Sequence, residues 1–442
     1  MFRKTAFNIY HNYVKRDELY TLKALFNKTQ YWSKEEILNY QWDLFKKQLN
    51  YAYEKVPYYK NIFDKLQLSV DDIKSTQDLI KIPILTKDIV RSNFNDLVAK
   101  DIDKSRIKWN STSGSTGSNF KFLSDKGTLV PSVLQHRCYS WMGIDFFDKK
   151  MSVWGAGWDV KKSKKLISRI KSAIKGATVL SGYNLSDKDL TDYFKLMNKI
   201  NPRLIISYPS ILFDMAKFFE KNELTFSPKA IQIGGEKLFP FQRDYIEKIF
   251  KAPVFDFYGA RDMSMIAQDC DKHEGLHIMA ENVLVEVLDD EGYPVEEGEG
   301  DLVITNLHNK VMPFIRYKIG DRAVVTQKQC SCGRGLPLLK EIIGRSFEII
   351  EFPNGNKVGG TFWTILLKTE PGIQKLQVVQ KAKDLIQINY VPEKENGVIN
   401  FKNFIDKIHH YSGQDLNVKF NKVSEIPPTK GGKYRFIVKE IE

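Results

Sequence analysis

Six short segments stand out for glycines, hydroxyls and charged residues, and the first of them has the composition of a phosphate-binding loop. Ser111-Thr-Ser-Gly-Ser-Thr-Gly117 alternates hydroxyls with glycines and holds no bulky side chain. Such a loop brings backbone N–H groups close to phosphate oxygens, and the hydroxyls add donors. It is not a Walker A loop, because Gly-Lys-Ser/Thr is missing. Ile233-Gly-Gly-Glu-Lys-Leu238 and Asp256-Phe-Tyr-Gly-Ala-Arg-Asp262 each follow an apolar run. Arg316-Tyr-Lys-Ile-Gly-Asp321 and Gly344-Arg345 come next, and Pro427-Pro-Thr-Lys-Gly-Gly-Lys-Tyr-Arg435 closes the series. No Ser/His/Asp triad signature is present.

A second constellation is built on sulfur. Three of the four cysteines fall in Cys270-x-x-His273 and Cys330-x-Cys332. Reduced cysteines with one histidine are the ligand set of a tetrahedral structural zinc, and His277 is the alternative imidazole.

The elements that must position these residues follow from patterning. Ser33-Lys-Glu-Glu36 is a capping box opening a helix, on which Phe45, Leu49, Ala52 and Val56 share one face and Pro57 marks the stop. Residues 1–105 are expected to be mostly helical. From there, Met151–Trp154, Leu204–Ile206, Ala230–Ile233 and Val254–Phe257 are short apolar strands separated by helical stretches, which predicts layered α/β structure. Val283, Val285 and Val287, the turn Asp289–Gly292 and Leu302–Ile304 predict a hairpin within a β-rich part over 276–345. A boundary is expected at Gly344-Arg345. Beyond it, residues 346–442 form a small α+β lid with a helix at Phe401–Tyr411 and a strand at Val418–Phe420.

The balance of 67 basic against 54 acidic residues gives +13, which favours phosphate-bearing partners. The lysine-rich stretch from Lys161 to Lys175 suits peripheral contact with an anionic membrane surface or, as the blander alternative, a solvated helix face. No run is long and apolar enough to span a bilayer, and no secretory signal is legible, so a cytoplasmic location is expected.

Taken in order, the segments from about residue 45 to 435 resemble the adenylate-forming superfamily of acyl-CoA synthetases, luciferases and adenylation domains. The narrower likeness is to its phenylacetate–CoA ligase, coenzyme F390 synthetase and CapK branch, carried by Ala52–Tyr59, Leu276-His-Ile278, Met312–Tyr317 and Cys332-Gly-Arg334. The resemblance implies roles. Ser113, Gly114, Ser115, Thr116 and Gly117 would hold the ATP phosphates. Gly234, Gly235 and Glu236 would pass beside the adenine, with Tyr258 and Gly259 next to it. Asp262 would be the Mg²⁺ ligand and Asp321 would accept the ribose hydroxyls. Arg345 would serve the ribose and the hinge, and Lys433 on the lid would contact the carboxylate and α-phosphate.

The sequence departs from the family where Asp262 replaces the usual Glu, where Pro428 and Gly431 replace a basic residue and a serine, and at Phe347-Glu348. The implied activity is ATP-dependent formation of an acyl-AMP, followed by transfer to coenzyme A. Transfer to an amine, sugar or carrier protein in surface-polysaccharide synthesis is the alternative, and an idle nucleotide-binding homologue is a third reading. Nucleic acid is not an expected partner.

Overall fold

The computed structural model describes residues 19–112, 120–154, 176–182, 185–345, 350–358, 363, 372–393, 399, 401–413, 415–427 and 435–441. Helix α1 (Leu19–Thr29) is followed by α2 (Lys34–Lys55) and α3 (Pro57–Lys65). The capping box is present: Ser33 Oγ accepts from Glu36 N, and the Glu36 carboxylate accepts from Ser33 N. Phe45, Leu49 and Ala52 face the core, and Val56 is the residue between the two helices. Pro57 starts α3 rather than merely ending α2, since at a first turn its missing N–H has no partner to lose. Short 3₁₀ turns lead to α4 (Lys87–Ser92).

Strands β1 (Ile107–Thr112) and β2 (Phe120–Asp125) form an antiparallel pair on either side of the serine- and glycine-rich segment. Helix α5 (Val130–Trp141) follows. Then come β3 (Lys150–Val153), β4 (Ala177–Leu180), α6 (Asp187–Ile200), β5 (Leu204–Ser207), α7 (Pro209–Lys221), β6 (Ala230–Gly234), α8 (Pro240–Phe250) and β7 (Val254–Ala260). The next six strands are β8 (Ser264–Asp269), β9 (Leu276–Ile278), β10 (Val283–Leu288), β11 (Gly298–Asn306), β12 (Tyr317–Thr326) and β13 (Leu338–Arg345).

These build one eleven-stranded sheet in the order β10-β11-β12-β13-β9-β8-β7-β6-β5-β3-β4. From β7 to β4 neighbours run parallel, with α6, α7 and α8 as crossovers. From β7 to β10 they run antiparallel. The parallel and antiparallel halves meet at β7, and within the antiparallel half β13 pairs with β9 at only two positions, Leu338↔His277 and Leu339↔Leu276. The mixed α/β class expected from the sequence is therefore the class observed.

The predicted hairpin is β10–β11, but its solvent-facing row is not solvated. Gln41 of α2 donates to Val283 O, and Leu284 is buried along with Val283 and Val287. Glu286, in the middle of the strand, is buried and clasped by Arg316 at 2.9 Å. A buried carboxylate needs such a partner, because an unpaired charge there costs several kcal/mol, to order of magnitude.

The C-terminal part holds β14 (Ile350–Glu351) and β15 (Lys357–Val358). It continues with β16 (Ile373–Ala382), β17 (Leu385–Pro392), α9 (Lys402–Ser412), β18 (Asn417–Lys422) and β19 (Ile437–Lys439). Four of these strands form a sheet in the order β18-β17-β16-β19, with Phe404 and Ile408 of α9 buried in its core. The expected helix and strand are α9 and β18. This part touches the rest through Lys375–Asp214 at 3.3 Å and the ring contact of Phe436 with Phe239. Among the described residues no helix is long and apolar enough to cross a membrane.

Candidate active site

The site gathers residues from the ends of β6, β7 and β13 and from the middle of β12. Gly234 closes β6, and a Cβ there would lie 2.5 Å from Phe257 O. Gly235 has φ +80°, and a Cβ on it would lie 2.7 Å from the Tyr208 ring. Only glycine fits either condition, so the pair lets the backbone pass tightly over the sheet edge. Tyr208 packs against Trp154 with ring centroids 4.3 Å apart. The Glu236 carboxylate accepts from Ser210 N at the start of α7 (3.3 Å), so its side chain serves that helix end.

Tyr258 lies on β7 and donates its hydroxyl to Asp321 Oδ2 at 2.7 Å. Arg345 Nε meets Asp321 Oδ1 at 2.7 Å, and the β12–β13 register places these two directly opposite. Three residues separated by up to 87 positions in the chain thus form one unit. Burial, and then the Asp321 charge, hold the Tyr258 phenol well above its ordinary pKa, so it remains a donor.

Asp262 is buried beside them and accepts from Tyr317 Oη at 3.0 Å. Burial pushes its carboxyl upward, while the Tyr317 hydrogen bond and the nearby Lys87 and Arg345 charges oppose the rise. Asp256, two residues before Tyr258, is pushed up to about 7 by desolvation and by Asp269. Gly259 lies at a β7–β8 irregularity, and a Cβ on it would meet Ser264 O at 2.7 Å.

Lys87 is a site residue that the motifs did not reveal. Leu85 bridges to Tyr317 and bonds to Arg316 O, which docks the start of α4 on β12. Lys87 Nζ then lies 3.4 Å from Ile319 O. Burial and Arg345 lower its pKa, whereas Asp262 and Asp321 support its charge. No local pattern marks this lysine, because Ile319, Asp321 and Arg345 come from strands more than two hundred residues away. Arg261 donates to Ser111 O at 3.0 Å, tying the Asp262 turn to the strand that leads into the phosphate loop. Phosphate-loop residues Ser113, Gly114, Ser115, Thr116 and Gly117, the lysine Lys433 and the basic stretch 161–175 lie outside the described residues.

The sulfur constellation is assembled elsewhere on the sheet, with one change of ligand. The candidate ligand atoms of Cys270, His277, Cys330 and Cys332 all lie within 4.8 Å of one another. His273, the expected imidazole, is not among them. Its Nδ1 sits 2.8 Å from Asp269 Oδ2 and 3.1 Å from Arg243, on a turn with φ +53°. The turn after β8 sends this ring toward the Arg243–Asp269 pair, whereas β9 carries His277 to the cysteines.

Residues 350–440 match a family model described as the CapK C-terminal domain. The chain is 26% identical over 420 residues to protein CapK of Staphylococcus aureus, covering 90% of this chain and 88% of that one. Against the phenylacetate-coenzyme A ligase of Thermus thermophilus it is 22% identical over 376 residues, 79% of each chain. Against that of Escherichia coli it is 25% identical over 339 residues, 72% of this chain and 73% of that one. Among solved structures, 2-hydroxyisobutyryl-CoA ligase in the postadenylation state with 2-HIB-AMP superposes with a TM-score of 0.73 at 19% identity, covering 92% of this chain and 89% of that one. The O-succinylbenzoate coenzyme A synthetase of Bacillus subtilis, with ATP and magnesium, superposes at 0.51 and 16% identity, covering 73% and 67%. The chain is homologous to CapK and the phenylacetate–CoA ligases, and its fold is that of the adenylate-forming ligases.

Proposed function

We propose that this chain uses ATP to convert a carboxylic acid to its acyl-AMP and then passes the acyl group to coenzyme A. The junction of Tyr258, Asp321 and Arg345 carries the reading, in a chain homologous to phenylacetate–CoA ligases. A carboxylate has about four acceptor positions, and two on Asp321 are taken by Tyr258 and Arg345. The two left over suit the vicinal hydroxyls of a ribose.

Lys87 and Arg345 lie near enough to feel each other's charge, and together they would supply positive charge to a triphosphate. In the first step a substrate carboxylate oxygen bonds to the α-phosphorus, the α–β phosphoanhydride breaks, and pyrophosphate leaves. Asp262, with one oxygen held by Tyr317, keeps the other for a magnesium ion, which would neutralise phosphate charge when bound. Lys433 would meet the substrate carboxylate and α-phosphate in that step. In the second step the coenzyme A sulfur bonds to the acyl carbon, AMP leaves, and the thiol proton is lost to solvent. Residues 346–442 would act as a lid over residues 1–345, excluding water from the mixed anhydride.

The test is acid-dependent exchange of pyrophosphate into ATP across a panel of aryl and aliphatic carboxylic acids, followed by assay of coenzyme A consumption. Exchange with at least one acid, and thioester formation from it, is the expected result. Absence of exchange with every acid, despite nucleotide binding, would leave the idle homologue standing.

A second reading has its own support. The family-model match and the longest of the sequence matches quoted above both point to CapK. Exchange without coenzyme A consumption would favour transfer to an amine, a sugar or a carrier protein.

A further inference from the structure

The geometry points to a zinc ion held by Cys270, His277, Cys330 and Cys332 that staples the short β9–β13 pairing of the eleven-stranded sheet. Three thiolates and an imidazole are a donor set that a tetrahedral zinc prefers. With Zn–S bonds of about 2.3 Å and Zn–N bonds of about 2.0 Å, the edges of such a tetrahedron are roughly 3.5–3.8 Å. Cys270 Sγ and Cys330 Sγ stand 3.6 Å apart, and Cys332 Sγ and His277 Nε2 stand 3.4 Å apart. All four ligand atoms fall within 4.8 Å, three of the four residues are buried, and Cys332 is partly so.

Location gives the site its purpose. On one side of the β9–β13 pairing, β12 and β13 carry Asp321 and Arg345; on the other side, β7 carries Tyr258. Between them β13 meets β9 at two residue pairs only, and His277 belongs to one of them. Cys270 follows the last residue of β8, and Cys330 and Cys332 lie in the connection from β12 to β13. One ion would therefore join β8, β9 and β13 across the narrowest part of the sheet.

The same connection also grips the N-terminal helices. Gly335 N donates to Gln30 O at 3.1 Å and Arg334 Nε to Gln30 Oε1 at 3.1 Å. A Cβ on Gly335 would lie 1.9 Å from Trp32 O, so this loop is pressed against the α1–α2 turn. Two residue pairs and a few loop bonds are thin support for a site that must hold Tyr258 and Asp321 within 2.7 Å.

Tag-free protein, purified without chelator, should contain about one zinc per chain by inductively coupled plasma mass spectrometry, since such sites bind tightly. Less than about 0.2 zinc per chain, iron in its place, or a Cys270–Cys330 disulfide on peptide mapping would overturn the assignment. Cys332→Ser and His277→Asn should each lose most of the metal, while Cys138→Ser, outside the cluster, should retain it. If the ligand variants fail to fold, p-hydroxymercuribenzoate titration of wild-type protein should release zinc in step with thiol modification, and release of none would count against the site. For the stapling role, zinc-stripped protein should show faster amide exchange in β9 and β13, with β16 and β17 unchanged. Uniform exchange rates with and without zinc would refute it. The stapling role also rests on the proposed ATP reading for one readout: KM for ATP should rise at least about tenfold on stripping. Metal content is independent of that reading, so a chain that holds zinc but fails pyrophosphate exchange would separate the two.

Discussion

Replacing Asp321 by asparagine tests the proposed nucleotide site with the least disturbance to the fold. Asp321 receives Tyr258 Oη and Arg345 Nε, each at 2.7 Å, on different oxygens. Asparagine keeps the shape but has one oxygen, and its NH₂ cannot face the guanidinium. The amide oxygen must therefore turn to Arg345 and the NH₂ to the Tyr258 oxygen. At most one ribose hydroxyl then retains its acceptor, and that acceptor is uncharged. Losing one hydrogen bond to a charged group costs about 1.5–3 kcal/mol, and weakening the second roughly 0.5–1 kcal/mol more. The sum is about 2–4 kcal/mol, or on the order of 30- to 1,000-fold in kcat/KM for ATP.

Stability should change little, because the Arg345 side chain is 35% exposed and water can take over its solvation. The assay is pyrophosphate exchange at saturating acid with ATP varied, repeated with 2′-deoxy-ATP and 3′-deoxy-ATP. Wild type should discriminate strongly against both analogues, and Asp321→Asn weakly. Unchanged KM for ATP, together with unchanged discrimination, would refute the assignment of the ribose to this carboxylate.

Lys433→Ala should lower acyl-AMP formation on the order of a hundred- to thousandfold, the usual effect of removing a preorganised charge of about 3–4 kcal/mol. Thioester formation from supplied acyl-AMP should survive, and equal loss in both half-reactions would point to misfolding instead. Asp262→Ala should weaken the magnesium dependence of exchange far more than nucleotide binding measured without metal; an unaltered magnesium titration would move the metal elsewhere. Asp256 gives a pH signature, because its folded pKa is raised to about 7 while the unfolded carboxyl titrates near its model value of 3.8. The folded chain binds the extra proton between those limits, so this contribution to stability is complete below pH ~4 and is lost as pH rises through about 7. The melting temperature of Asp256→Asn should therefore fall less than that of wild type between pH 5 and 8, and parallel curves would exclude Asp256 as the source.

Much of this architecture was legible in local chemistry. The Ser33–Glu36 capping box, the Phe45–Leu49–Ala52 face and the apolar runs that became β3, β5, β6 and β7 depend on neighbours within a few residues. The glycine pair at 234–235 and the Tyr258–Asp262 turn were marked in the same way, since backbone approach and strand ends leave local composition signals. The sequence by itself determined the α/β class, the motif order and the sulfur-rich segments.

Only the tertiary structure decided which distant residues meet. Lys87 reaches the site because Leu85 docks on Tyr317, a pairing across more than two hundred residues that no periodicity encodes. His277 rather than His273 faces the cysteines because the β9–β13 pairing carries it there, while the positive-φ turn at His273 directs that ring to Asp269. Glu286 became a buried ion-pair partner, not a solvated strand residue, once α2 covered β10 and Arg316 reached it. Periodicity fixes which face of an element a residue occupies, but what lies against that face depends on chain reversal and register, which are set by the packing of the whole sheet.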